Sequence, residues 1–242
     1  MRHDLFVLIL GYGRTGTSLC AGLIDASPGF VVGYELNNGL LTVNHADDVE
    51  EEATIRFLED GGNTKLSRDY NGNKIVINSG TNMNLFFYLL KNNSGFMHQR
   101  FKDLKVIFTK RDPISTLVSR KKRVIHKGID LSVDVLVKDY LISMSSLSLI
   151  KSFVKTIKGV DFYVFDFDET IANPIFHAQK MFEYLGEPFD SRFVHEYKGS
   201  HNYSHAVGVG KQNVMYGYEG RFPRLREKLQ KELDYKRAEW EM

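Results

Sequence analysis

Residues 4–18, DLFVLILGYGRTGTS, decide how this chain is read. Leu5 to Leu10 is an unbroken apolar run, the pattern of a strand buried on both faces of a parallel sheet. Gly11, Gly13 and Gly16 then allow a tight turn, and Thr17-Ser18-Leu19 opens a helical pattern. At a strand–turn–helix junction the backbone N–H groups converge, and the positive end of the helix favours an anion there. The only cation in the turn is Arg14. The alternative is a strand–helix turn whose glycines serve geometry only.

Composition narrows the classes. With 43% hydrophobic and 26% charged residues in 242, the chain reads as one globular α/β domain over 1–242. A formal net charge of +2 argues against wholesale coating of nucleic acid. The single cysteine, Cys20, excludes an internal disulfide framework and a Cys-rich metal site, and its place on the apolar face of the first helix predicts burial. No apolar run approaches the roughly 20 residues of a membrane span, and LFVLIL is too short for a signal segment. The expectation is a cytoplasmic protein with no membrane and no nucleic-acid partner.

Strand and helix patterns alternate along the chain. A helix is expected over about 17–26, a short strand at 30–32, helix over 40–59, and a loop or small hairpin over 60–73. A strand at 74–78 and a helix at 82–92 follow. Next come a strand at 104–109, a helix from Pro113 through 125, and a long helix over 131–157. A strand at 162–165, a helix ending at Leu185 and a charged amphipathic helix from Arg224 complete the order. Alternation of this kind gives a central parallel sheet with helices on both faces, where ligands bind beyond the carboxyl ends of strands.

A second anion site is written in LKVIFTKRDPISTLVSRKKR, residues 104–123. An apolar strand leads to Arg111, and Ser119 follows eight positions later inside a helix. A strand-tip arginine with a helical hydroxyl suits phosphate through charge-assisted hydrogen bonds. Pairing of Arg111 with Asp112 or another carboxylate is the structural alternative. The run Arg120-Lys121-Lys122-Arg123 reads as a solvated basic face.

Taken together, these segments resemble the sulfotransferases that use 3′-phosphoadenosine-5′-phosphosulfate (PAPS). In that family a strand–loop–helix of the type Lys/Arg, Ser/Thr, Gly, Thr, Ser/Thr holds the 5′-phosphosulfate. A later Arg-Asp-Pro, with Ser eight residues after the Arg, holds the 3′-phosphate. The matching residues are Arg14-Thr15-Gly16-Thr17-Ser18, Arg111-Asp112-Pro113 and Ser119. FYVFDFDETIANPIFHAQKMFEYLGEPFD, residues 162–190, is similar to the family's late strand, acidic turn and helix ending in Leu-Gly. Around the first motif the likeness is nearest to tyrosylprotein sulfotransferases, in which a glutamate 21 positions beyond the loop arginine is the base; here that position is Glu35.

The resemblance implies a P-loop-like sulfotransferase fold, PAPS as donor, PAP as product and no metal. Catalytic roles fall to Arg14 and Glu35, and donor contacts to Gly13, Arg14, Thr15, Gly16, Thr17, Ser18, Arg111 and Ser119. The alternative for Glu35 is an exposed loop carboxylate, or one capping a helix begun near Asn38, and His98, His126, His201 and His205 are rival bases. Gly208 to Lys211 is a weak match to the family's closing loop. The acceptor, a small molecule, carbohydrate or peptide, is not specified. A P-loop kinase is the nearest rival, but it needs Lys where this chain has Thr17. Asp166-Phe167-Asp168-Glu169-Thr170 resembles the nucleophile motif of haloacid-dehalogenase phosphatases, yet no acidic pair of the required kind follows it. Both aspartates are therefore expected to order structure. A non-catalytic nucleotide-binding module is the third alternative.

Overall fold

A computed structural model describes residues 3–34, 65–66, 74–80, 101–126, 128–157, 159–195 and 222–241. Within them the strands are β1 (His3–Leu10), β2 (Val31–Tyr34), β3 (Lys65–Leu66), β4 (Lys74–Gly80), β5 (Phe101–Lys110) and β6 (Phe162–Asp166). The helices are α1 (Thr17–Asp25), α2 (Pro113–His126), α3 (Val133–Val154), α4 (Phe167–Ala172), α5 (Pro174–Leu185), α6 (Arg192–His195) and α7 (Pro223–Glu241).

The sheet runs β3-β2-β4-β1-β5-β6. Its strands are parallel except for β3, which pairs antiparallel with β2 at the edge. The strand β1 is central, and it explains its own apolar run. Phe6, Leu8 and Leu10 enter one core with residues of α2, α3 and α7, while Leu5, Val7 and Ile9 enter the other with α1 and α5. Side chains alternate across a strand, so burial on both faces demands an apolar residue at every position. Cys20 lies in the second core, fully buried, and that burial pushes its thiol pKa far up. A thiol so placed is inert.

From β1 the chain moves to β2 and β4 on one side, then crosses to β5 and β6 on the other. The carboxyl ends of β1 and β5 therefore flank a point where strand order reverses, where an open sheet of this kind leaves a crevice. The expected central parallel sheet with helices on both faces is thus observed. Boundaries differ slightly. The helix expected over 131–157 occupies Val133–Val154, with the Ser132 side chain accepting from the Val135 N–H at 3.2 Å. The helices expected at 40–59 and 82–92 lie outside the described residues.

The acidic turn after β6 is a helix start. Asp166 Oδ1 accepts from the N–H groups of Asp168 at 3.0 Å and Glu169 at 3.1 Å, capping α4. Its other oxygen pairs with Lys110 Nζ at 2.8 Å. Burial works to raise the Asp166 pKa, but Lys110 and the two capping N–H groups outweigh it and hold the carboxyl below its ordinary value. A depressed carboxylate stabilises the fold above its unfolded pKa of about 4 and loses that contribution as pH falls through the lower folded value. Asp166→Ala is expected to cost about 1 kcal/mol at pH 7 through loss of the cap. In urea denaturation across pH, the difference from the unaltered protein should shrink below about pH 4; a constant difference would contradict this origin.

Candidate active site

The β1–α1 loop is folded around a buried pair of hydroxyls. Thr15 Oγ1 lies 2.6 Å from Thr109 Oγ1 of β5 and donates to the Tyr12 carbonyl at 2.6 Å. The Thr15 N–H donates to that same carbonyl at 3.1 Å. Thr15, expected to touch the donor, thus shapes the loop from inside. A Cβ on Gly11 would stand 1.9 Å from Thr109 Oγ1 and 2.7 Å from Thr15 Oγ1, so only glycine admits the pair.

Arg14 adopts φ +81°, a left-handed conformation uncommon for a side chain-bearing residue. Gly16 follows at φ +100°, packed so closely that a Cβ would reach 2.7 Å from the Phe167 ring. Gly16 is the N-cap of α1 and provides no capping side chain, and the helix has no acidic residue in its first turn. Thr17 and Ser18 form that turn. A helix start without its own carboxylate or capping hydroxyl, beside an arginine, fits an anion.

The second element meets the first directly. Arg14 Nε donates to Ser119 Oγ at 3.0 Å, and Arg111 Nη1 donates to the Arg14 carbonyl at 3.3 Å. Ser119 is buried in α2. Arg14, Arg111 and Ser119, far apart in sequence, therefore share one locus at the carboxyl ends of β1 and β5.

Carboxylates set the arginine in place. Arg111 Nε stands 3.7 Å from Asp168 Oδ1, and its guanidinium lies 4.3 Å from the centre of the Phe167 ring. The other Asp168 oxygen accepts from the Asp112 N–H at 2.7 Å. Burial raises the Asp168 pKa above its ordinary value, with Asp166 and Asp112 adding to it; the Asp112 N–H and Arg111 oppose the shift. Asp112 Oδ1 in turn caps α2 by accepting from the Ser115 N–H at 2.7 Å. Both aspartates of the 166–170 segment thus order structure, as expected of them.

Glu35 lies outside the described residues, immediately after β2, and so do His98, His201, His205 and Gly208–Lys211. His126 sits exposed in the last turn of α2. Among the described residues no cluster of three or more His, Cys, Asp or Glu could hold a metal ion, and no helix is long and apolar enough to cross a membrane.

Sequence reading missed several contributors. Tyr12, inside the loop, donates its hydroxyl to Asp139 Oδ2 of α3 at 2.7 Å. Arg226 of α7 approaches the start of α2, with Nη1 3.4 Å from Ser115 Oγ and Nη2 3.8 Å from Asp112 Oδ1. The 120–123 run is only partly the solvated face expected of it. Lys121 pairs with Asp130 and the Leu131 carbonyl, Lys122 covers the Phe222 ring at 4.2 Å, and Arg120 turns toward the β1–α1 loop. No periodicity signals these contacts, because each depends on how two distant elements cross.

No family model and no curated protein matches the sequence. Among solved structures, the chain is similar to the sulfotransferase domain from the Synechococcus PCC 7002 olefin synthase. The identity is 13% and the TM-score 0.52, covering 95% of this chain and 88% of that one. A sulfotransferase domain from the curacin biosynthetic pathway matches at 11% identity and TM-score 0.47, over 86% of this chain and 84% of that one. Retinol dehydratase, in a complex with retinol and PAP, matches at 11% identity and TM-score 0.41, over 96% and 82%. At 13% identity the likeness to the first is one of fold, and it places this chain's architecture with sulfotransferase domains.

The close approach beneath the loop is testable. Gly11→Ala should cost about 2 kcal/mol in urea denaturation, since its Cβ would stand 1.9 Å from Thr109 Oγ1 and 2.7 Å from Thr15 Oγ1. Adding Thr109→Ala should recover part of that loss through the coupling of the two positions; strict additivity would show that the clash is not the cause.

Proposed function

We propose that the chain is a sulfotransferase that transfers a sulfuryl group from PAPS to a hydroxyl or amine acceptor. One observation carries the reading: Arg14 of the glycine loop is bonded to Ser119 and Arg111 to the Arg14 carbonyl, which merges two anion-binding elements into one site. A single anion would need only one of them; a donor with phosphates at two positions engages both. When bound, the donor supplies a sulfuryl group activated by its anhydride bond to phosphate.

In this reading the first-turn N–H groups of α1, the hydroxyls of Thr17 and Ser18, and Arg14 hold the 5′ side. Gly13 and Gly16 let the backbone approach it. Arg14 provides positive charge where negative charge builds on the departing phosphate oxygen. Arg111 and Ser119 hold the 3′-phosphate, with Asp168 and Phe167 fixing the Arg111 side chain. Ser119 accepts from Arg14 through a lone pair, which leaves its own O–H to donate to a phosphate oxygen. Glu35 is the proposed general base, taking the acceptor's proton as the acceptor attacks. The acceptor is a small molecule, carbohydrate or peptide. Thr17, standing where a kinase P-loop carries lysine, weighs against phosphoryl transfer.

Calorimetric titration with PAP, ADP and 5′-AMP without magnesium tests the donor assignment. PAP should bind at least about tenfold more tightly than ADP, the scale of one charge-assisted contact. Arg111→Ala should erase that preference while leaving ADP binding nearly unchanged. Preference for ADP would overturn the assignment. Glu35→Gln should retain PAP binding and lose turnover by about 100-fold or more; full activity would remove Glu35 as the base.

A further inference from the structure

Arg120 follows Ser119 in α2, and its guanidinium lies against the β1–α1 loop. A Cβ on Gly13 would stand 3.3 Å from Arg120 Nη1 and 3.9 Å from Cζ, so the cation occupies space that the glycine leaves open. Among the described residues no carboxylate pairs with Arg120. Its Nε is buried and has no hydrogen-bond partner. Tyr12, beside it, donates its hydroxyl to Asp139 at 2.7 Å. Burial and Asp139 push the Tyr12 pKa up and outweigh the opposing charge and side-chain hydrogen bond of Arg120, so the phenol stays neutral and supplies no compensating charge. The guanidinium is 5.8 Å from the Tyr12 ring centre, near the outer limit of a cation–π contact. A half-buried guanidinium with an unmet N–H and no ion pair among the described residues is costly unless an anion arrives.

We infer that Arg120 is a second anion-binding cation of the β1–α1 loop, acting with Arg14 on the 5′-phosphate side of the donor. It rests on the reading above for the donor's identity, but the contact with the loop does not. A merely structural Arg120, covering Tyr12, would leave phosphate affinity unchanged on substitution.

The test is calorimetry of the full chain with inorganic pyrophosphate, PAP, 3′-AMP and ADP, alongside thermal melting without ligand. Arg120→Gln should weaken pyrophosphate and PAP about tenfold, leave 3′-AMP within about twofold, and melt close to the unaltered protein. Arg120→Lys should recover part of the loss. Gly13→Ala, which keeps the charge but crowds Nη1, should weaken PAP in the same direction. Unchanged pyrophosphate and PAP affinity in Arg120→Gln would overturn the inference, as would equal losses for PAP and 3′-AMP. If the unaltered protein prefers ADP to PAP while Arg120→Gln still loses pyrophosphate, the sulfotransferase reading fails and the inference stands. If no phosphate probe binds the unaltered protein, both fail.

Discussion

Two hydroxyls 2.6 Å apart in the protein interior, those of Thr15 and Thr109, hold the glycine loop against the end of β5. The Thr15 hydroxyl also donates to the Tyr12 carbonyl, and that of Thr109 lies 3.5 Å from the Leu10 carbonyl. Each is nearly inaccessible to solvent, and an unmet hydroxyl there would cost on the order of 1–3 kcal/mol. The pair tolerates no side chain at position 11, and it forces the chain to double back over the Tyr12 carbonyl. Arg14 is thereby turned into its left-handed conformation, with its side chain toward α2 and its carbonyl toward Arg111. Strain at one residue of a loop is sustained when its surroundings over-determine it. Here the surroundings are a hydroxyl pair below and two hydrogen-bonding partners above.

Charge is handled by layering. Arg14, Arg111 and Arg120 gather at one end of the sheet, and Asp168, Asp166 and Asp112 stand behind or beside them. The carboxylates do not simply neutralise the arginines. Asp166 answers Lys110 and the start of α4, and Asp112 the start of α2. Asp168 divides itself between the Asp112 N–H and Arg111, and burial keeps its pKa raised. These carboxylates are thus mostly occupied by backbone and lysine, so the charge of the locus is arranged locally although the whole chain is nearly neutral.

The sequence was a good guide wherever a residue's role followed from its neighbours in the chain. The unbroken run from Leu5 to Leu10 could only be a two-sided buried strand, and it is one. Pro113 and Pro174 marked helix starts because proline lacks the N–H a first turn leaves unused. The likeness of Arg14 and of Arg111 with Ser119 to two anion motifs pointed to one ligand, and the fold brings those residues together. What escaped was tertiary. Arg120 sat in a run of four cations, and nothing local distinguishes the one that turns inward from Lys121, which turns to Asp130. Asp139 and Tyr12 are 127 positions apart, and their bond depends on where α3 crosses the loop. The motif position of Thr15 suggests a ligand contact but does not reveal that its side chain is buried against Thr109, which depends on where β5 lies.

The docking of α7 carries a consequence for how the protein is made. Its Leu229 and Leu233 are buried with β1 and α3, and Arg226 reaches back 111 positions to Ser115. Loop closure over that span must be completed before the start of α2 acquires its full set of neighbours. During synthesis the glycine loop, β5 and α2 emerge long before α7. A nascent chain held at that stage would display the apolar face that Leu229 and Leu233 later cover, a surface of the kind that chaperones recognise. The arginine-lined end of the sheet is thus translated well ahead of the helix that completes it.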